Sequence, residues 1–192
     1  MKESNDVLVP PPYKRLKRGP QVILPKDIGL IISYTGVNKN SVCVDAGTGS
    51  GWLAVSLAKI AKEVTSYDNR EEFIKIAERN KEMEGCSNLI IKHGDVIKKI
   101  DERDLDLVTL DMPDSDKVLK NAYKALREGG YVVGYLPHVE QVKKFVGTLN
   151  KLKFRNVITL ESIVRDILVR EQGVRPSTKG VWHTGYLVFA QK

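Results

Sequence analysis

The stretch VDAGTGSGW, residues 44–52, decides how this chain is to be read. It closes a short apolar run, SVCVDA (41–46), and opens WLAVSLAKIA (52–61), whose apolar residues recur at helical spacing. A buried strand, a turn with glycines at 47, 49 and 51, and a helix make the first half of a βαβ unit. Glycine permits the sharp turn and lets a ligand lie against bare main chain. The dinucleotide fingerprint G-x-G-x-x-G needs glycine at the position that Trp52 occupies, and the phosphate-cradling pattern G-x-x-x-x-G-K-S/T is absent. The turn therefore suits the neutral edge of a cofactor rather than a docked pyrophosphate.

The alternation continues outward from this turn. EVTSYD (63–68) reads as a strand, and REEFIKIAERNKEMEG (70–85) as a helix with Phe73, Ala77 and Met83 inward and Gly85 as its stop. NLIIKHGD (88–95), LDLVTLD (105–111) and GYVVGYLP (130–137) are three further strands, the last two separated by the helix DKVLKNAYKALREGG (116–130). Another helix, from about His138 to Lys151, precedes RNVITLE (155–161), and VWHTGYLVFAQK (181–192) ends the chain. Upstream, Pro25 starts a helix with Asp27 in its first turn and Ile28, Ile31 and Ile32 as an apolar stripe. The expected fold is α/β: a doubly wound, mostly parallel seven-stranded sheet whose last two strands pair as an antiparallel edge. Residues 21–192 form this domain, and residues 1–20 read as a basic N-terminal arm. Its triproline favours extended polyproline geometry, and YKRLKR (13–18) interleaves cations with Tyr13 and Leu16.

Acids stand at successive strand ends. Asp68 ends the second strand, where a carboxylate can accept both hydroxyls of an adenosine ribose. Asp95 ends the third in HGD, placed for the exocyclic amine of adenine. Asp111 ends the fourth in TLDMPDSD (109–116), stiffened by Pro113. Asp114 reads as the N-cap of the next helix and Asp116 as part of its first turn, both favourable to the helix dipole. A glycine turn together with such acids describes an adenosine pocket on the carboxyl edge of the sheet.

VDAGTGSG, YDNREEF, HGD and LDMPD resemble the successive motifs of class I S-adenosylmethionine-dependent methyltransferases. RGPQVILPKD (18–27) and RPSTKGVWHTGYLVFAQK (175–192) resemble more narrowly the tRNA (adenine-N1)-methyltransferase family, over roughly residues 13–192. That family methylates adenine 58, and in archaea also adenine 57, of the tRNA T-loop. The resemblance implies S-adenosylmethionine as cofactor, contacted by Gln21, Gly47, Gly49, Ser50, Gly51, Asp68 and Asp95, and tRNA as partner. It places Asp111 at the target base, raises Arg175, His183 and Thr184 as substrate contacts, and suggests a homo-oligomer, a tetramer or a dimer. Two departures stand out: about a dozen residues replace the family's usual N-terminal β domain, and Ser115-Asp116 stand where D-x-P-x-P-W would put an aromatic.

Adenine N1 is already unprotonated at neutral pH, so methyl transfer to it needs alignment more than a strong base. A carboxylate at Asp111 accepting N6–H would orient the ring and stabilise the positive charge that develops on it. The plain alternative for Asp111 is a strand-end acid capping the next turn. A T-loop adenine must be extruded, at a cost of about a few kcal/mol, and Tyr135 and His138 are candidates for the receiving wall. His93 reads as structural.

A net charge of +7 favours an acidic partner such as RNA, with binding that weakens steeply with salt. The N-terminus has no secretory apolar core, no run is long enough to span a bilayer, and no metal site is signalled. Cys43 and Cys86 read as reduced structural thiols, which points to the cytoplasm. Two other readings stand beside this one: another class I methyltransferase, acting on isoaspartyl protein or a small molecule, and a non-catalytic methyltransferase-fold RNA-binding subunit. Basic charge and LDMPD argue against the first. The second class typically loses the glycine loop and the strand-four acid, both present here.

Overall fold

A computed structural model describes residues 9–19 and 21–192. The chain runs α1 (Pro11–Lys14), α2 (Pro25–Thr35), β1 (Val42–Ala46), α3 (Trp52–Ala58), β2 (Glu63–Asp68), α4 (Glu71–Glu84), β3 (Leu89–His93) and β4 (Leu105–Leu110). It continues with α5 (Ser115–Ala125), β5 (Leu126–Leu136), α6 (Val139–Lys151), β6 (Arg155–Glu161), β7 (Ile167–Arg170), β8 (Gly173–Pro176) and β9 (Tyr186–Gln191). Seven strands form one sheet in the order β3-β2-β1-β4-β5-β9-β6. The expected doubly wound sheet is present. β1 to β5 are parallel, while β9 runs against both β5 and β6 and lies second from the edge, with β6 outside it.

Strands buried on both faces explain the continuous apolar runs: Val44, Val64, Leu107, Val108, Val132 and Val188 have essentially no exposed surface. One face packs against α5 and α6 through Val118, Leu119, Phe145 and Leu149; the other packs against α2 and α3 through Ile28, Ile31, Leu53 and Leu57. Each such side chain contributes about 1.5–3 kcal/mol of burial. The strand order reverses between β1 and β4, so the two turns leaving those strands open side by side. Ligands bind doubly wound sheets at this switch point, outside the carboxyl ends.

Several local expectations change. In α4, Ala77 is buried and Phe73 half-buried, but Met83 is 43% exposed. The inward place nearer the end of that helix belongs to Asn80, which is fully buried and hydrogen-bonded. Pro11 and Pro12 lie in the short helix α1, not in polyproline geometry, since proline fits a helix's first turn where its missing N–H leaves no orphan. The described part of the arm is laid against the domain: Leu16 is buried, and Tyr13 packs on Trp52 and bonds Ser56. Asn80 grips Lys17 by both N–H and C=O, 2.8 Å each. The remainder, residues 1–8 and Pro20, lies outside the described residues. A small antiparallel hairpin, β7–β8, was not foreseen. Cys43 and Cys86 are buried free thiols, and burial pushes the Cys43 thiol up to about 12.

Candidate active site

The site begins with the register of β1 and β4. Ala46 lies opposite Leu110, and the Asp111 N–H donates to the Ala46 carbonyl at 2.8 Å. Gly47 follows at φ +90°, and a Cβ there would sit 1.9 Å from the Asp111 carbonyl oxygen. Glycine is therefore required by the approach of one strand end to the other, besides any service to a ligand. The next peptides fold over β2: the N–H groups of Gly47 and Thr48 both donate to the Tyr67 carbonyl, at 2.9 and 3.0 Å. Gly51 packs on Ala77 of α4. Ser50 between them is buried, and its hydroxyl has no partner.

Asp68 is buried at the end of β2. Its carboxylate accepts from the Gly49 N–H at 3.0 Å and from the Arg70 N–H and Nε at 3.1 and 3.2 Å. Asp95, past β3, accepts from the Ile97 N–H at 3.0 Å. Gly47, Asp68, Asp95, Ile97 and Asp111 line an open cleft of about 350 Å³ along the sheet edge. Arg70 also lines it, its guanidinium 4.0 Å above the Phe73 ring. Sequence reading passed over Arg70, although its place two residues after a strand-end acid is a signal for such a pairing.

Asp111 also lines a second cavity of about 180 Å³, together with Arg18, Gln21, Leu24, Tyr135 and Thr184. It is the residue shared by the two cavities. Burial lifts its carboxyl to about 7; nearby Asp45 and Asp68 add to the rise and Arg70 opposes it. A carboxyl with that value sits at the midpoint of its titration near neutral pH, as acid–base groups in sites do. Asp45 is a buried acid inside β1, held by donations from Ser66 Oγ at 2.6 Å and Thr109 Oγ1 at 2.7 Å. Ser66 and Thr109 are its register partners on the two flanking strands. Burial raises the Asp45 carboxyl as well.

The other residues singled out from the sequence divide. Tyr135 and Thr184 meet in the second cavity, and the tyrosine hydroxyl donates to the Thr184 carbonyl at 2.8 Å. Gln21 lies in this cavity and not among the residues of the larger cleft. His183 turns to its neighbours: Nδ1 is 2.6 Å from the Glu161 carboxylate and Nε2 is 3.0 Å from the Pro137 carbonyl. Both ring nitrogens thus face acceptors, and the Glu161 bond leads in raising the imidazole above its ordinary value. Arg175 is exposed on β8, where its guanidinium bonds the Pro176 carbonyl at 3.3 Å, and it lines neither cavity. His138 stands at the start of α6, its N–H bonded to Gln141 Oε1 at 3.2 Å, rather than in a cavity wall. His93 bonds the Asn69 carbonyl at 3.2 Å. Asp114 occupies the N-cap position of α5, but it is left-handed and makes no side-chain cap; its carboxylate pairs with Lys117 at 3.0 Å. Asp116 lies in the first turn of α5.

Known proteins resemble this chain in sequence and in fold. Residues 13–175 match the family model described as the tRNA methyltransferase complex GCD14 subunit. The chain is 42% identical over 209 residues to the tRNA (adenine(57)-N(1)/adenine(58)-N(1))-methyltransferase TrmI of Methanocaldococcus jannaschii, covering 93% of this chain and 74% of that one. The crystal structure of the tRNA (m1A58) methyltransferase TrmI from Aquifex aeolicus superposes with a TM-score of 0.85 at 29% identity, covering 93% of this chain and 72% of that one. A SAM-dependent O-methyltransferase from Thermotoga maritima gives 0.86 at 32% identity, covering 90% of this chain and 66% of that one. The family model spans most of the chain and the archaeal relative is similar over nearly all of it, so this chain belongs to the tRNA methyltransferase family that the GCD14 model defines, on a class I methyltransferase fold.

Proposed function

We propose that the chain transfers a methyl group from S-adenosylmethionine to N1 of a T-loop adenine in tRNA, at position 58 and also 57. The observation that carries this reading is the position of Asp111, common to an acid-lined cleft sized for a nucleoside and a smaller pocket walled by Tyr135 and Thr184. The donor set of the cleft fits the cofactor. Asp68 would accept the ribose hydroxyls and Asp95 the adenine amine. Gly47 would bring bare main chain to the cofactor's remaining edge, while Gly49, Ser50 and Gly51 do not line the cleft and would shape the turn behind it. Gln21, which lines the smaller pocket beside Asp111, would contact the cofactor from that side.

S-adenosylmethionine, when bound, supplies an electrophilic methyl on a sulfonium centre. The protein's own task lies with the acceptor. Tyr135 gives a flat wall for an extruded base, and Asp111 accepts a hydrogen bond from its N6 amine. As the ring becomes cationic, the Asp111 carboxylate stabilises the new charge and can take an N6 proton, for which a value of about 7 is well matched. Arg18 at the pocket rim and the basic surface elsewhere would meet phosphates. Self-association through the exposed apolar side chains of the β7–β8 hairpin, Ile167, Val169 and Val174, accords with the oligomer that the resemblance implies.

The deciding experiment incubates the protein with unmodified tRNA and S-adenosylmethionine and digests the RNA for nucleoside mass spectrometry. 1-Methyladenosine mapping to the T-loop is the expected product. Methyl on ribose oxygen, on protein, or nowhere would overturn the reading.

A further inference from the structure

Next to the smaller pocket is a closed ring of buried charge that the proposed chemistry does not use. Lys26 and Asp27, in the first turn of α2, have side chains only 7% and 0% exposed. Lys26 Nζ donates to the Asp27 carboxylate at 2.8 and 3.0 Å, to the Ser162 carbonyl at 2.6 Å and to Thr184 Oγ1 at 2.8 Å. Thr184 Oγ1 in turn donates to Asp27 Oδ2 at 3.0 Å. Every ammonium proton has an acceptor, and the carboxylate is held from two sides. Burying an ion pair costs about several kcal/mol per ion, so a pair of well-packed apolar residues would serve stability as well or better. The ring instead fixes geometry. It ties the start of α2 to the chain just past β6 and to the loop entering β9, three segments far apart in sequence.

Thr184 is where the ring meets the pocket. Its carbonyl accepts the Tyr135 hydroxyl at 2.8 Å. The next residue, Gly185, lies so close under the Tyr135 ring that a Cβ there would sit 2.8 Å from it. The dipeptide Thr184-Gly185 is thus the seat of Tyr135, holding the hydroxyl at one end and the ring face along the backbone. Leu24 joins Tyr135, Thr184 and Asp111 in the pocket, two residues before Lys26.

We propose that Lys26 and Asp27 are positioning residues for the acceptor base, acting through Thr184 to fix the seat of Tyr135 opposite Asp111. The inference rests on the reading of this pocket as the acceptor site. Misplacement of a reacting group by about 1 Å costs on the order of a hundredfold in rate, so loosening the seat should appear in turnover and not in cofactor binding.

The test is Thr184→Val, which keeps shape and removes the hydroxyl, beside Thr184→Ser, which restores it. For tRNA methylation, Thr184→Val is expected to lower kcat about 10- to 100-fold while the KM for S-adenosylmethionine stays within about threefold. Thr184→Ser should return kcat to within about threefold of wild type, and Tyr135→Phe should cost less in the valine background than alone, because both act on one seat. A second variant, Lys26→Met with Asp27→Leu, removes both charges together and leaves neither unpaired. It should fold with a thermal midpoint near wild type, bind cofactor and lose kcat as Thr184→Val does. Wild-type kcat in Thr184→Val or in the double variant, a cofactor KM that rises in step with the loss, or no rescue by serine overturns the inference. A wild-type protein that forms no 1-methyladenosine overturns instead the assignment of the pocket on which the inference stands.

Discussion

The two cavities that share Asp111 are built in opposite ways. The larger cleft is made by consecutive βα units, each delivering a turn or an acid at the end of its strand: Gly47 after β1, Asp68 at the end of β2, Asp95 after β3. The smaller pocket sets Asp111 and Tyr135, at the ends of β4 and β5, against two distant stretches of chain, with Arg18, Gln21 and Leu24 on one and Val181 and Thr184 on the other. Local construction lets a cofactor site persist among enzymes with different acceptors. Long-range construction lets the acceptor site change without touching the sheet, and it needs ties such as the Lys26–Asp27–Thr184 ring to hold it together.

The sharpest way to break this division is Asp111→Ala, since that residue belongs to both sides. Turnover should fall about 10²–10⁴-fold, as expected for loss of a group that acts on a proton in the transition state. Cofactor affinity, measured by calorimetric titration, should stay within about threefold if the larger cleft is held mainly by other residues. An equal collapse of affinity would merge the two cavities into one site and make Asp111 a pocket residue.

A smaller and opposite effect is expected from Asp68→Ala. Each hydrogen bond to a charged group is worth about 1.5–3 kcal/mol, so cofactor affinity should drop by roughly 10- to 100-fold. At saturating cofactor, kcat should move far less. A loss confined to kcat would show that Asp68 serves geometry, through its bonds to Gly49 and Arg70, and not the ligand.

The smallest expected effect is a shift in pH dependence. The productive form of Asp111 is the carboxylate, and burial with neighbouring acids raises its carboxyl to about 7. Activity should therefore fall as pH drops through about 7. Asp45→Asn keeps the side-chain shape inside β1, with one of the two hydroxyls turning to accept from the new amide, and removes one nearby acid, so the acid limb of the profile should move to lower pH. An acid limb that does not move would assign the rise to burial and Asp68 and remove Asp45 from it.

Legibility followed the same boundary. VDAGTGSGW, Asp68 and Asp95 could be placed from sequence because each sits at the end of an apolar run, and strand ends in a doubly wound sheet share one edge. Tyr135 is read from its place by the fifth strand and Thr184 from a motif, but that they touch is not readable, since the Tyr135–Thr184 hydrogen bond spans 49 residues. Lys26 and Asp27 fall within RGPQVILPKD, and Asp27 reads as a first-turn acid, but nothing local shows that both are buried and joined to Thr184. Arg175 and His183, in the same motif as Thr184, face other neighbours because strand geometry and a loop, not sequence proximity, set where side chains point. The β7–β8 hairpin escaped because its side chains lie outside the core, so no buried face imposed a period on the sequence.

By itself the sequence determined the alternation of strands and helices, the glycine turn and the acids at three strand ends, because local periodicity and steric rules act within a few residues. Only the tertiary structure decided that Gly47 must yield its side chain to the Asp111 carbonyl, and that Asp45 lies beneath the site between Ser66 and Thr109. It alone joined a buried ion pair near one end of the chain to the wall of a pocket made near the other. Those contacts join segments distant along the chain, and their energies depend on burial and register, which exist only once the sheet has closed around them.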